Sequence, residues 1–352
     1  MPLYLFLDDY TIPLVQPNLQ ATINPIIFKR RSHIFFKVST ESANSFWPVG
    51  TNMKTLEMPH DFALLDLATE SLHQKEEEKI RLLNKIFTPR IDRYHVFTGR
   101  AFDLTKVLGD TTYSNNQLAW YLRAPKEHPL PSGLKRLLYS GLGVFVGMWA
   151  SDIRIMVEMF ADMIRETNGK LTSEQPRIPD DIQDRCARNQ GGEFLTFAQS
   201  VRDPELTRGS SRTRLHGEEY GNHLKNIVEA FVNVSKFELL TKLVDNQGNS
   251  SPKQAFRLVI LDSFKVGEKA HRYHEGLVRY HIFLQDMRGK SQRGMLTPRL
   301  YLNRILLPYV TLTFSSHDHI RLTNAEFNVL LERPNEFLSY WKKKSRNLVS
   351  TC

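Results

Sequence analysis

A chain of 352 residues that is 41% hydrophobic and 24% charged is long enough for two or three packed domains and is not a disordered tail. Its formal net charge of +9 favours a polyanionic partner, nucleic acid or anionic lipid, because a basic surface concentrates such ligands near it. The two cysteines, Cys186 and Cys352, lie far apart, which argues against a disulfide framework or a cysteine-based zinc site and fits a reducing cytoplasm.

Met1 to Val15 is apolar but carries Asp8 and Asp9 and has no basic flank, unlike a secretory leader. Leu3-Tyr4-Leu5-Phe6-Leu7 is a continuous apolar run, as in a strand buried on both faces of a parallel sheet, and Ile34-Phe35-Phe36-Lys37-Val38 is a second. The residues between them suit a crossover with some helix, so the first forty residues predict one βαβ unit; Pro17 suits the helix start, and Pro25 is expected to kink or end it. One such unit cannot bury both faces of its sheet, so it needs something further to lean on. From Asp61 to Lys85 the pattern is helical and includes a charge run, Lys75 to Lys79, that reads as solvated. Leu134 to Glu166 predicts two more apolar helices; its most apolar part, Leu137 to Ala150, is broken by Gly141, Gly143 and Gly147 and is shorter than the roughly 20 residues a bilayer span needs, so no membrane partner is expected.

Asn168 to Arg188 and Arg202 to Gly217 are polar and read as long loops or linkers. Tyr220 to Val244 is helical again, with Leu224, Ile227, Val228, Phe231 and Val234 on one face. A strand near Phe256 to Leu261, a helix from about Gly267 to Tyr280 and a hairpin follow. The hairpin is predicted from Ile282 to Leu302, with the basic turn Arg288-Gly289-Lys290-Ser291-Gln292-Arg293-Gly294 at its tip. Helix, strand, helix, hairpin is the order of a winged helix.

Four features carry candidate chemistry. Leu5-Phe6-Leu7-Asp8-Asp9 ends an apolar strand in two acids, the shape of a Walker B strand, in which Asp8 would hold Mg²⁺ and Asp9 would orient the attacking water; the plain alternative is two solvated acids at a strand end. Ser39 and Thr40 close the next strand, where a polar sensor would meet a γ-phosphate, or they simply form a turn. Arg30 and Arg31, just before that strand, stand where an arginine finger could reach a neighbouring subunit's nucleotide, or where cations answer a helix dipole. Arg154, early in its helix behind Asp152, could sense nucleotide, or could pair with Asp152 while that residue caps the helix. For DNA, Arg288, Lys290 and Arg293 on the hairpin tip suit phosphates, and Lys269, Arg272 and Arg279 with His271 on the preceding helix could face a major groove. The pairs His271/His274 and His317/His319 lack the further ligands a metal site needs.

In this order the motifs, followed by Gly276-Leu277-Val278-Arg279-Tyr280, Pro298-Arg299-Leu300-Tyr301-Leu302 and Arg304-Ile305-Leu306-Leu307-Pro308, resemble a bacterial branch of the origin-recognition-like AAA+ ATPases, from Walker B onward. The resemblance implies an α/β fragment joined to a mostly α remainder. Its parts would be a partial nucleotide-binding domain over 1–60, a helical lid over 61–170, a linker with a helical segment over 171–219 and a winged helix over 220–352. It further implies ATP with Mg²⁺ as cofactor, double-stranded DNA as ligand, and a homo-oligomer or a separate upstream ATPase half as partner. The given sequence holds no Gly-x-x-x-x-Gly-Lys-Ser/Thr loop, so hydrolysis requires that half from elsewhere. Gly289-Lys290-Ser291 does not qualify, since Leu284 stands at the first glycine's place, and Gly191-Gly192 is followed by no Lys-Ser or Lys-Thr. Two functional classes stay open: a nucleotide-controlled DNA-binding oligomer, and an inactive module kept for DNA or protein contact.

Overall fold

The computed structural model describes residues 2–11, 14–28, 33–40, 46–47, 49–51, 54–57, 60–63, 65, 67, 70, 74–94, 96–100, 102–110, 115–123, 139–150, 152–201, 217–241, 257–260, 266–286, 291–292, 295–296, 299–314 and 319–349. Strands β1 (Leu3–Leu7) and β2 (Ile34–Val38) pair in parallel, from Leu3 opposite Ile34 to Leu7 opposite Val38, with helix α1 (Pro17–Ile27) between them in sequence. Pro17 opens α1, where a missing N–H costs nothing, and Pro25 sits in its last turn without ending it. Buried polar side chains tie the segments after β1 and after β2 to this helix: the Tyr10 hydroxyl donates to Asn24 Oδ1 at 3.0 Å, and Asn24 Nδ2 donates to the carbonyls of Trp47 (2.7 Å) and Val49 (3.0 Å).

The expected burial of β1 on both faces is not found. None of its residues is buried, and Phe6 is 72% exposed. The reason is the one foreseen for a lone βαβ unit: an apolar run of this kind belongs in a sheet covered on both faces, and two strands with one helix cannot supply that cover.

From Glu76 onward helices dominate: α2 (Glu76–Asp92), α3 (Leu104–Leu108), α4 (Asn115–Arg123), α5 (Leu142–Met148), α6 (Ile153–Glu166), α7 (Asp180–Ser200) and α8 (Gly217–Thr241). Helix α2 buries Lys79, Leu83, Phe87 and Ile91, one residue per turn on a single stripe. The Phe87 ring meets Phe145 of α5 and Phe160 of α6 edge-on at 5.5 and 5.2 Å. Lys79 is thereby corrected from a solvated residue to a core one.

The polar stretch Asn168 to Arg188, read from the sequence as a loop, is irregular only as far as Pro179; Asp180–Ser200 is a 21-residue helix at the centre of the fold. Its polar residues are buried because they hold other segments. Gln183 accepts from the Gly141 N–H at 2.9 Å and donates to the carbonyls of Leu108 and Ile178 at 2.9 and 2.8 Å. Asp184 accepts from the Tyr139 N–H at 2.8 Å and from Arg188 Nε at 3.0 Å. Arg188 in turn donates to the Pro308 carbonyl at 2.9 Å, so α7 bridges the middle of the chain to its C-terminal part. The second expected loop lies mostly outside the described residues.

The remaining elements are β3 (Arg257–Ile260), α9 (Glu268–Arg279), β4 (Phe283–Asp286), β5 (Ser291–Gln292), β6 (Met295–Leu296), β7 (Arg299–Leu302), a 3-10 turn (Arg304–Leu306), α10 (Leu307–Val310), β8 (Ile320–Leu322), α11 (Asn324–Glu332) and α12 (Pro334–Val349). Four strands form one sheet in the order β4-β7-β3-β8, with β7 antiparallel to both β4 and β3, and β8 parallel to β3. A capping box starts α11: Thr323 Oγ1 accepts from the Glu326 N–H at 3.3 Å, and the Glu326 carboxylate accepts from the Thr323 N–H at 2.8 Å. Trp341 of α12 donates its indole N–H to Glu238 of α8 at 2.7 Å. One connected hydrophobic core runs from Leu83 to Trp341 through α7 and α8, and the buried residues Tyr10 and Ile27 of the βαβ unit are not part of it.

Candidate nucleic-acid interface and strand-end acids

At the carboxyl end of the parallel pair, Asp8 and Ser39 come together. Ser39 Oγ donates to Asp8 Oδ1, and the Asp9 N–H is within reach of both that oxygen (3.1 Å) and Ser39 Oγ (3.0 Å). Asp9 holds a left-handed backbone (φ 54°), a conformation aspartate tolerates better than most residues. The Tyr10 N–H then donates to the Ser39 carbonyl at 2.9 Å, locking the two strand ends to each other. Asp8, Asp9 and Ser39 are exposed, and Thr40 follows half-buried.

The other nucleotide-sensing candidates do not join this cluster. Arg154 is exposed on α6, where its backbone N–H is capped by Asp152 at 2.8 Å, and it forms no hydrogen bond or ion pair with Asp8 or Asp9. Arg30 and Arg31 lie outside the described residues. Among the described residues no group of three or more His, Cys, Asp or Glu is placed to hold a metal ion. Asp8 Oδ1 accepts from the Ser39 hydroxyl and the Asp9 N–H, and the given sequence holds no phosphate loop beside it, so Asp8 and Ser39 would hold only part of an ATP·Mg²⁺ site.

The basic candidates fall on α9 and the hairpin it precedes. Helix α9 buries Ala270, Tyr273, His274, Gly276, Leu277 and Arg279, leaving Lys269 and His271 exposed and Arg272 half-exposed on its other side. Arg279 is the correction here. It is only 4% exposed and donates to Glu275, one turn earlier, at 2.6 Å, so its charge is spent inside the fold and does not face a groove. Burial, reinforced by neighbouring His271, lowers the His274 pKa to about 4, which keeps that ring neutral. The Tyr220 hydroxyl of α8 donates to the Arg272 carbonyl at 3.0 Å and fixes how α9 sits.

Strands β4 and β7 form the expected hairpin, Phe283 opposite Leu302 and Asp286 opposite Arg299; β5 and β6 pair as a separate two-stranded ladder, so Ser291 and Gln292, expected in the turn, are strand residues. Arg288, Lys290 and Arg293 lie outside the described residues. Sequence reasoning passed over Lys342 and Lys343, which are exposed on α12; the run Trp341-Lys342-Lys343-Lys344 was the available signal. It also passed over the buried Arg304, whose guanidinium reaches the Gly147 carbonyl at 3.5 Å and whose Nε finds no acceptor among the described residues. Cys186 is buried, and its thiol is pushed up to about 12 by burial and by Glu166, so it stays protonated and is no nucleophile. No described helix is long and apolar enough to cross a membrane.

Compared with known proteins, the chain matches no family model, no curated protein and no solved structure.

Proposed function

We propose that this chain is a double-stranded-DNA-binding protein on an AAA+-like plan, whose C-terminal part grips DNA as a winged helix and which does not hydrolyse ATP by itself. The observation that carries the reading is the antiparallel order β4-β7-β3 with α9 between β3 and β4 in sequence. The succession of strand, amphipathic helix and hairpin supports a winged-helix reading, in which the helix would enter the major groove and the wing would meet the backbone. Lys269, His271 and Arg272 occupy the outward side of that helix, and Arg288, Lys290 and Arg293 fall between β4 and β6 in the sequence. The net charge of +9 suits a phosphate backbone. Phosphate contacts from the basic residues between β4 and β6 would position the protein on DNA without reading its bases.

A second reading is favoured by the pairing of Asp8 with Ser39. Their meeting at the ends of two parallel strands is what a nucleotide-controlled oligomer needs, with Arg154, Arg30 and Arg31 sensing occupancy once another polypeptide supplies the phosphate loop. The two readings part on ATP. Duplex binding is measured against salt for the full chain and for Arg288→Ala/Lys290→Ala/Arg293→Ala, with and without ATP·Mg²⁺. The first reading expects binding that weakens steeply with salt, a slope smaller by about three in the variant, one for each lost phosphate contact, and no response to ATP. Binding that tightens with ATP supports the second. Absence of duplex binding by the full chain at low salt rejects both.

A further inference from the structure

Buried and half-buried cations elsewhere in the described fold meet acids: Arg279 donates to Glu275 at 2.6 Å, and Arg188 to Asp184 at 3.0 Å. At the carboxyl end of α5 this pairing is missing. Arg304, in the 3-10 turn, is 7% exposed; its Nε is buried with no acceptor among the described residues, and its guanidinium reaches only the Gly147 carbonyl, at 3.5 Å. Lys79 of α2, 4% exposed, lies close enough to feel that charge, and its ammonium forms no hydrogen bond or ion pair among the described residues. The titratable groups beside the pair are Glu76, which is exposed and makes no ion pair with Lys79, and Tyr301. Helix α5 meets both sides, Phe145 against Phe87 of α2 and Gly147 against Arg304, and has no ionisable side chain. Trp149, which caps α5, is buried too, and its indole N–H finds no acceptor among the described residues. Donors and positive charge therefore gather at this end of the helix without matching acceptors.

We propose that Arg304 and Lys79 hold a small oxyanion, with the chemistry of phosphate or sulfate, at the end of α5. A buried lysine can shed its proton, but a guanidinium cannot, so Arg304 stays charged and needs a counter-charge. The Gly147 carbonyl takes one N–H at the limit of a hydrogen bond and leaves the Nε edge open, an edge suited to two parallel bonds with an oxyanion. A tetrahedral dianion presents oxygens to both cations and matches their combined charge, which a single carboxylate does not. With so little of either side chain open to solvent, the place suits a small ion and not a duplex. The site is therefore separate from the proposed DNA contacts and shares no residue with them.

Equilibrium dialysis of the full chain against radiolabelled sulfate tests this, with ionic strength held constant by sodium chloride; sulfate keeps its full charge across neutral pH. The expected result at pH 6 is one sulfate per chain with a dissociation constant of about 1 mM or tighter. Lys79→Met and Arg304→Met should each weaken it about tenfold or more, as for loss of one partner of a buried charge pair. Circular dichroism verifies that both variants are folded, and Lys79→Met removes a buried charge and should fold readily. A third reading needs no variant to fold. With the Lys79 pKa at about 7, its charged fraction drops from about nine tenths at pH 6 to about one tenth at pH 8, so native affinity should fall about tenfold over that range while that of Lys79→Met stays level. Inorganic phosphate should displace the label; displacement by AMP as well assigns the site to the phosphate of a nucleotide, and its failure assigns it to the free ion. No retained sulfate, retention that either variant keeps undiminished, or native retention that ignores pH overturns the proposal.

Discussion

Lys79 stands four residues before Leu83 and eight before Phe87, on the stripe that α2 turns to the core, and is 4% exposed. Its side chain lies near Arg304, itself 7% exposed, with Glu76 the neighbouring acid. Burial, with repulsion from Arg304 added and attraction from Glu76 opposing, lowers the Lys79 pKa from 10.5 to about 7; burial also lowers that of Arg304 to about 10. Between about pH 7 and 10.5 the unfolded chain therefore keeps a proton on Lys79 that the folded chain has released. Where the unfolded state binds more protons, stability rises with pH, so Lys79 adds a positive slope across that window, at most about 1.4 kcal/mol per pH unit. Below pH 7 both states are protonated and the cost of the buried charge is fully expressed. Urea unfolding of native and Lys79→Met proteins at pH 6, 7, 8 and 9 measures this. The variant should be the more stable at pH 6, and its advantage should shrink as pH rises; a constant difference refutes the assignment. Nothing in the run Lys75-Glu76-Glu77-Glu78-Lys79 announces this burial, because a charge is read as solvated until its neighbours in space are known.

At the scale of elements, α7 and α8 cross where Gly221 lets the backbones touch. A Cβ at position 221 would stand 1.9 Å from the Gln199 carbonyl oxygen and 2.5 Å from its carbon, so only a hydrogen fits and backbone would have to move. Gly221→Ala raises helix propensity, a gain of up to about 1 kcal/mol, yet should lose roughly 2–4 kcal/mol overall, since overpacking against backbone outweighs propensity. Chemical denaturation gives the difference; a stabilised variant would mean the helices can separate freely. The same pair of helices shows what the sequence reveals and what it hides. Helix α8 was legible from the periodic Leu224, Ile227, Val228, Phe231 and Val234, and the hairpin β4–β7 from two apolar runs around a Gly-containing turn. The start of α7 was not, because Gln183, Asp184 and Gln190 occupy its buried side, Gln183 and Asp184 bonding to segments as distant as Leu108 and Tyr139. At the strand ends the meeting of Asp8 with Ser39 was foreseeable from two runs ending in polar residues, whereas the loss of Arg279 to Glu275 was not, since an i, i+4 pair reads the same whether exposed or buried.

For the whole molecule, the described core is one connected body from Leu83 to Trp341, while the βαβ unit has a small cluster of its own around Tyr10, Ile27, Phe28, Phe46 and Phe62. Because α7 is bonded both to the residues around Tyr139 and Gly141 and to Pro308, the middle and C-terminal parts of the chain should lose structure together. The four tryptophans allow this to be observed site by site: Trp149, in the middle of the chain, and Trp341, in α12, are both buried in the main core, and Trp47 is hydrogen-bonded to α1 through Gln20 and Asn24. In three variants that each keep one of these and carry Phe at the other three positions, fluorescence against urea should give coincident midpoints for Trp149 and Trp341. The Trp47 midpoint should fall lower, because a two-stranded sheet with an open aromatic face has little burial to hold it. Separate midpoints for Trp149 and Trp341 would instead divide the chain at α7 and return that helix to the role of a linker.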